Sequence, residues 1–448
     1  MKKYLALVLG VIFTLGFAVS AFAITAEIPA ETQAVVAKDT SQITLGGELR
    51  FRGWYTDNTS GTRRAVSNPA DGPSQGWYDG RIRLSLKADV SKNTTGFVQL
   101  ESAPNENFAS DVTVWGTLNT KPSTDLTILE AWILHTGSGL LGIPAGVKVG
   151  HMPLALGEKQ FLDHTKFGDD AIVLFANPTK ELHIGLLTAK FAEGSTGTAS
   201  TADITGYVAL ATYKVNKDNT VGVNYTLIND SGATVTTAGN KYNFQNLGLH
   251  ANGKIADVKY AVEYDTQFGN QTDTVKFKGY GIFANLGYDI KPVTVRAGYA
   301  RGSGDAGNND ATKNKDFQVT AGNDVHYTFI YEFTTRDASS NRDIAQVTRS
   351  NGISNTTYYR LGLDADLTKD LKASVDYFML KATEAAAGSK DIGTEYNAKL
   401  TYKIDKNLTY SITAGILDPG KWWEDTVGVT SANNKAITQM MHALTLSF

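Results

Sequence analysis

The sequence predicts an all-β fold, a transmembrane antiparallel up-and-down β-barrel of about 18 strands within a range of about 16–20. Three observations predict it. Apolar and polar residues alternate with period two over stretches of about 10 to 13 residues, longer than the 5 or 6 usual in soluble sheets. The connections between those stretches alternate between short turns and long polar loops. The composition is rich in turn and strand residues, with 43 Gly, 20 Tyr and 19 Phe against 10 Pro and no Cys.

The absence of cysteine removes disulfides, thiolate metal sites, covalent haem attachment and cysteine nucleophiles together. Lys plus Arg is 42 and Asp plus Glu is 45, a formal charge of −3, so nothing favours a nucleic-acid partner. Residues 1–23 read as a secretory signal peptide: Lys2 and Lys3, an apolar run from Tyr4 to Phe22, and Ala21-Phe22-Ala23 as the cleavage site. Residues 24–42 lack period two and read as a periplasmic lead-in, with Pro29 to Lys38 free to form a short helix. The barrel occupies 43–448.

The first strand carries Ile43, Leu45, Gly47, Leu49, Phe51, Gly53 and Tyr55 on one face and Glu48, Arg50, Arg52 and Trp54 on the other. The second is sharper: Tyr78, Gly80, Ile82, Leu84, Leu86, Ala88 and Val90 against Asp79, Arg81, Arg83, Ser85, Lys87 and Asp89. The same split recurs at 205–215, 258–265, 293–299, 359–367 and 392–404, and the chain ends with Met440, His442, Leu444, Leu446 and Phe448 in the apolar register. Most tyrosines also fall in that register, as in an interfacial girdle.

Short turns are placed at 91–93, 137–144, 177–179, 216–219, 256–257, 290–292, 369–370 and 405–407. Long loops are placed at 56–75, 103–125, 153–170, 192–202, 229–241, 269–275, 301–355, 384–391 and 418–435. The segment 301–355 admits three readings: a loop, an inward plug, or an extra hairpin built on 325–333.

The charged register defines the candidate pore lining. It comprises Glu48, Arg50, Arg52, Asp79, Arg81, Arg83, Lys87, Glu130, Lys259, Glu263, Arg296, Arg360 and Asp364, accompanied by Lys148, Asp265, Asp376, Glu395 and Lys399. A wet lumen keeps such charges hydrated, whereas Arg or Lys on the lipid face costs about 2–4 kcal/mol at mid-membrane. The four arginines on the first two strands read as a positive field that sets ion selectivity. Glu158, Lys159, Asp163, Lys166, Asp169 and Asp170 are the candidates for a constriction loop, with Asp163, Asp169 and Asp170 also weighed as cation ligands against a solvated surface loop. No metal site is expected. The seven histidines lack ligand spacing, and 302–310 lacks the spacing and final Glu of an EF-hand. No catalytic residue and no cofactor are implied.

Ile43 to Arg52, Arg81-Ile82-Arg83-Leu84, Lys148 to His151, and Phe161 to Phe175 with Gly168-Asp169-Asp170 resemble the porin-like outer-membrane channels of Gram-negative bacteria, most of all the alginate-export-like and deltaproteobacterial porin group. The resemblance implies an outer-membrane location and passive diffusion or facilitated export, with an arginine-lined lumen where the solute is anionic. The expected partners are outer-membrane lipids, the barrel assembly machinery that reads the terminal Phe448, and small ions or polar solutes; a homo-oligomer stays open. Two alternatives stand beside the channel: a barrel sheathing a multihaem cytochrome, and a hydrolase at the barrel rim.

Overall fold

A computed structural model describes residues 34–38, 41–59, 72–103, 113–114, 125–139, 142–193, 203–230, 242–305, 310–320, 327–336, 348–349, 352–385 and 387–448. The signal peptide and its cleavage site lie outside these residues. Eighteen long strands form one closed antiparallel ring. They are β1 Ser41–Asp57, β2 Gln75–Ser91, β3 Thr94–Ala103, β4 Asp125–Ser138, β5 Pro144–Met152 and β6 Asp169–Ala176. Then come β7 Leu182–Ala192, β8 Ile204–Asn216, β9 Asn219–Asp230, β10 Tyr242–Ile255, β11 Val258–Asn270 and β12 Tyr280–Ile290. The ring is completed by β13 Val293–Gly302, β14 Thr356–Asp366, β15 Leu371–Ala382, β16 Asp391–Asp405, β17 Leu408–Pro419 and β18 Ile437–Ser447. The strand count and the alternation of short and long connections match the sequence reading at every one of the turns named above.

Closure falls between β1 and β18, in register from Glu48↔Ser447 to Asp57↔Thr438. Phe448 completes the seam: its N–H donates to the Gly47 carbonyl at 3.0 Å, and its carbonyl accepts from Gly47 N–H at 2.7 Å. From Gly47 to Asp57 this closure leaves no edge for stray pairing. Upstream, Ala34–Lys38 is a strand paired antiparallel with Ser41–Leu45, so these five residues are not part of a helix. Backbone groups of this segment find partners on an existing edge, which an isolated short helix cannot supply.

The outward register is apolar and exposed, as lipid contact requires. Tyr78, Ile82, Leu84, Leu86, Ile133, Leu174, Tyr207, Leu249, Tyr288 and Leu361 all lie on it. A bulge between Gln99 and Leu100 of β3, opposite Ile128–Glu130 of β4, absorbs Leu129 and returns Glu130 to the inner face. The buried apolar cluster sits inside the ring and not between layers. Phe161 and Leu162 from the loop after β5, and Phe317, Val319, Ile330 and Tyr331 from the loop after β13, pack on inward residues such as Ile228, Phe244, Phe283 and Phe378. Within 301–355, residues 317–320 and 327–333 are therefore a plug inside the ring and not an added hairpin in its wall, whereas residues 311–313 are exposed and Lys313–Asn314 pairs with Lys276–Phe277 of the loop after β11. Apolar side chains such as Phe317 and Ile330 have no place on the wet surface, and the lumen offers the nearest apolar cover.

Candidate functional site: the charged, plugged lumen

The sequence-predicted lumen residues do face inward, but most are neutralised by partners on neighbouring strands. On β1–β3, Arg52 makes a two-point ion pair with Asp79 (Nε to Oδ1 2.8 Å, Nη2 to Oδ2 3.2 Å), and Trp54 Nε1 donates to the same carboxylate at 2.9 Å. Arg81 is bound to Glu48 at 2.5 and 3.0 Å and lies 3.8 Å from Glu101. Arg83 is paired with Glu101. Arg50 stands directly opposite Arg81. This wall thus holds four arginines and three carboxylates in an interleaved ladder. Three of the four arginines read from the sequence as a positive field, Arg52, Arg81 and Arg83, thus each touch a carboxylate. Glu101 was not picked out from the sequence; the alternation Gln99, Glu101 on β3 was the available signal.

Further lumen charges are paired, packed on aromatic rings or buried under loops. Lys87 pairs with Asp89 at 2.8 Å and Lys259 with Asp289 at 2.8 Å, both near the short-turn end. Glu130 accepts from Trp132 Nε1 at 2.8 Å, and Lys148 lies 4.0 Å over the Trp132 ring. Arg296 bridges Asp364 (2.7 Å) and Asp376 (3.1 Å), and Arg360 joins Asp376 at 2.7 Å. Glu263 is buried beneath the loop after β5 and accepts from Glu158 N–H.

Two inward loops cross the lumen. The first, 153–168, leaves β5 and reaches β10 and β11. Phe161 stacks on Phe244 at 5.7 Å, and Asn252 Nδ2 donates to Glu158 at 2.7 Å. Glu158 is thereby tied to β10, while Lys159 and Asp163 form an internal pair at 3.1 Å. Lys166 sits over the Phe167 ring at 5.2 Å. Asp163, Asp169 and Asp170 do not converge as a cation site. Asp163 accepts from Thr165 within the loop, Asp169 is buried against His164, and Asp170 is at the rim beside His151. Burial divides them, because each is satisfied by a different local donor.

The second inward segment is the plug. Glu395 of β16, fully buried, holds it with one carboxylate: Phe329 N–H and Ile330 N–H donate to Oε1 and Tyr331 N–H to Oε2, each at 2.8 Å. Gln439 Nε2 donates to the Phe329 carbonyl at 3.1 Å. Trp54 stacks between Trp77 (5.7 Å) and the plug residues Phe333 (5.9 Å) and Phe329 (6.2 Å). Gln318 N–H donates to Gln267 Oε1 at 2.8 Å, tying the other end to β11. His164 joins the two inward segments, with Nδ1 at 2.7 Å from Asp169 and Nε2 at 2.8 Å from Thr320 Oγ1. This has the outline of a nucleophile triad. Thr320 is nonetheless 1% exposed and donates to the Phe161 carbonyl at 3.2 Å, so the arrangement is a clamp between loops. Partners 156 residues apart leave no trace in spacing along the chain.

Against the plug lies a cavity of 520 Å³. Its charged lining is Arg52, Arg296, Arg360 and Lys399 against Asp364 and Asp376, and Phe329, Phe333 and Phe378 supply apolar faces. Among the described residues no group of three His, Asp or Glu side chains is disposed to hold a metal.

Residues 41–436 match the family described as alginate export. No curated protein matches the sequence. Solved structures share the fold at low identity. OccK5 (OpdH) of Pseudomonas aeruginosa is 13% identical, with a TM-score of 0.56 over 90% of this chain and 98% of that one. OccK9 (OpdG) of the same organism is 11% identical, with a TM-score of 0.56 over 91% and 98%. OpdK solved with vanillate is 10% identical, with a TM-score of 0.55 over 90% and 98%. Because the family match spans nearly the whole ring of strands, the chain belongs to the alginate-export family, and it is an outer-membrane porin-like channel rather than an enzyme.

Proposed function

We propose that the protein is a passive, plug-narrowed diffusion channel that favours small organic anions, above all solutes carrying a carboxylate. The observation that carries this reading is the cavity beside the plug. Four cationic side chains line it against two carboxylates, and with Asp79 paired to Arg52 just behind the lining the local balance is 4 − 3 = +1. Arginine forks suit carboxylates, and the neighbouring Phe329, Phe333 and Phe378 suit the apolar body of an organic acid. Diffusion needs no further chemistry: charge and width select, and the gradient drives.

The family description favours a second reading, passage of acidic saccharides, since alginate is itself a chain of carboxylates. The two inward segments make the single small anion the better fit. They also fill space that a multihaem protein would need, so the sheath reading has less support. Phe448 at the seam favours recognition by the barrel assembly machinery.

Planar-bilayer recordings test the proposal. In a low-salt gradient the reversal potential should show anion preference, and millimolar benzoate or a uronate should block chloride current where the matching neutral alcohol or sugar does not. Cation preference, or equal block by the neutral compounds, would overturn it. Block by uronate oligomers but not by benzoate would favour the saccharide reading.

A further inference from the structure

The outward face of the barrel changes character at its long-loop end. Over β13–β15 the cross-strand register sets Arg301, Thr357 and Lys381 in one outward row. The next outward row toward the membrane centre is Tyr299, Tyr359 and Met379, with the two tyrosine rings 5.3 Å apart. One row further lie Ala297, Leu361 and Tyr377, and the Tyr377 ring is 5.2 Å from that of Tyr396 on β16. Basic groups thus crown an aromatic belt on the side of the wall that meets lipid.

Strand length fixes the height of that row. Arg301 is 301 − 293 = 8 residues from Val293 at the short turn. That is about 27 Å along the strand, and about 20 Å along the barrel axis at a tilt of about 40°. The apolar band of such barrels is about 25 Å tall, so the row stands where hydrocarbon gives way to headgroups.

The two cations there are not neutralised by the protein. Lys381 is exposed and Arg301 half-buried. Neither makes an ion pair or a side-chain hydrogen bond among the described residues, and Arg301 Nε has no acceptor. Glu384 is bound to Lys390 at 2.7 Å, and Asp391, opposite Lys381 in register, makes no ion pair with it. Other sectors of the long-loop end differ. On β5–β8 the outward His151 is tied to Asp170 at 2.9 Å, and Lys190 to Asp203 at 2.5 Å and Glu193 at 3.1 Å. On β9–β11 the outward row is Asn229, Asn243 and Asn270, without charge.

We infer that Arg301 and Lys381 bind the phosphorylated headgroup of a multiply acylated lipid in the outer leaflet, whose chains lie against Tyr299, Tyr359 and Met379. Arginine offers phosphate a planar fork and lysine a point charge. Two strand spacings set the two positions about 10 Å apart, a span that suits a headgroup with more than one phosphate. A free phosphate would use the cations and leave the tyrosine face uncovered, whereas a lipid covers both. The row lies outside the lumen, so the inference is independent of which solute the channel passes.

Native mass spectrometry of the folded barrel in non-ionic detergent tests this, with lipid A (an acylated disaccharide bearing two phosphates) and the same lipid stripped of phosphate as probes. The native barrel should retain the phosphorylated form at least about tenfold better, as charge-assisted contacts to phosphate imply. Arg301→Gln combined with Lys381→Gln should erase that preference. Lys381→Arg, which keeps the charge, and Lys190→Gln, in a sector already neutralised by acids, should preserve it. Heat-modifiable gel mobility confirms folding, and should the double variant misfold, Lys381→Gln alone, at an exposed side chain, should still reduce the preference. Equal retention of the two lipids by the native barrel, or an undiminished preference in the Gln variants, would overturn the site. Saturable binding of inorganic phosphate alone, lost in the same variants, would overturn the lipid as its occupant.

Discussion

The β1–β3 wall and the β9–β11 wall are built from the same inward register but solve opposite electrostatic problems. On β1–β3, bases and acids interleave, so that Arg52, Arg81 and Arg83 each touch a carboxylate on the adjacent strand. On β9–β11, Glu263 and Asp265 are neighbours on one strand with no arginine or lysine paired to them among the ion pairs of the described residues, and loops cover them. The difference teaches that inward charge is a poor proxy for field. A ladder of paired charges braces a wall while keeping a small residual charge. A buried like-charge pair concentrates potential and invites a proton. Selectivity is then decided by the surplus, not by the count of arginines.

The comparison can be broken most severely by moving charge to the wrong face of β2. Leu84→Arg should cost about 2–4 kcal/mol of folding free energy, whereas Arg83→Leu, which leaves Arg81 3.8 Å from the buried Glu101 and puts no charge in lipid, should cost less than that. Urea unfolding in lipid vesicles measures both, and similar losses would mean that the inner and outer registers are interchanged.

The next largest effect concerns the plug, which depends on a single carboxylate. Glu395→Ala removes the acceptor for three consecutive plug N–H groups. Single-channel conductance should rise by a factor of about two or more, because pore width governs flow. Unaltered conductance would show that the Trp54–Phe333 stack and Gln439 hold the plug without it.

Selectivity sharpens the contrast between the walls. Replacing Arg50, Arg52, Arg81 and Arg83 with Gln takes the β1–β3 ladder from 4 − 3 = +1 to 0 − 3 = −3, counting Glu48, Asp79 and Glu101. The reversal potential should move toward cations, and the shift should shrink at 1 M salt, where the screening length is about 3 Å. A reversal potential that stays fixed in low salt would assign the filter to the cavity residues Arg296, Arg360 and Lys399.

The smallest effect belongs to the loop surface. Hydrogen bonds from Lys313 and Thr312 hold the Asp310 carboxyl below the usual carboxylate range. A depressed folded value means that any stabilisation is present above the ordinary carboxylate pKa and fades as the pH falls through the lowered one. Because Asp310 is only half-buried and its partners Lys313 and Thr312 are near it in the same loop, Asp310→Asn should leave the melting temperature at pH 7 unchanged within error. A measurable drop would show that the loop pair braces the barrel.

Period-two patterning, turn spacing and the count of connections were sufficient to place all 18 strands and to divide lipid-facing from lumen-facing residues. These are local properties: a side chain's face follows from its parity along the strand, and a hydrophobic exterior in lipid punishes any slip of register. For the same reason Arg83 and Leu84 could be assigned opposite faces from sequence alone. Which charge meets which depended on cross-strand stagger, which parity does not encode, so Glu101 and the interleaved ladder emerged only with the registers of β2 and β3. The plug, the Glu395 anchor and the clamp of His164 with Thr320 join residues separated by 51 to 279 positions. Their energies come from desolvation and donor–acceptor matching inside a closed ring, and those terms do not exist until the ring closes.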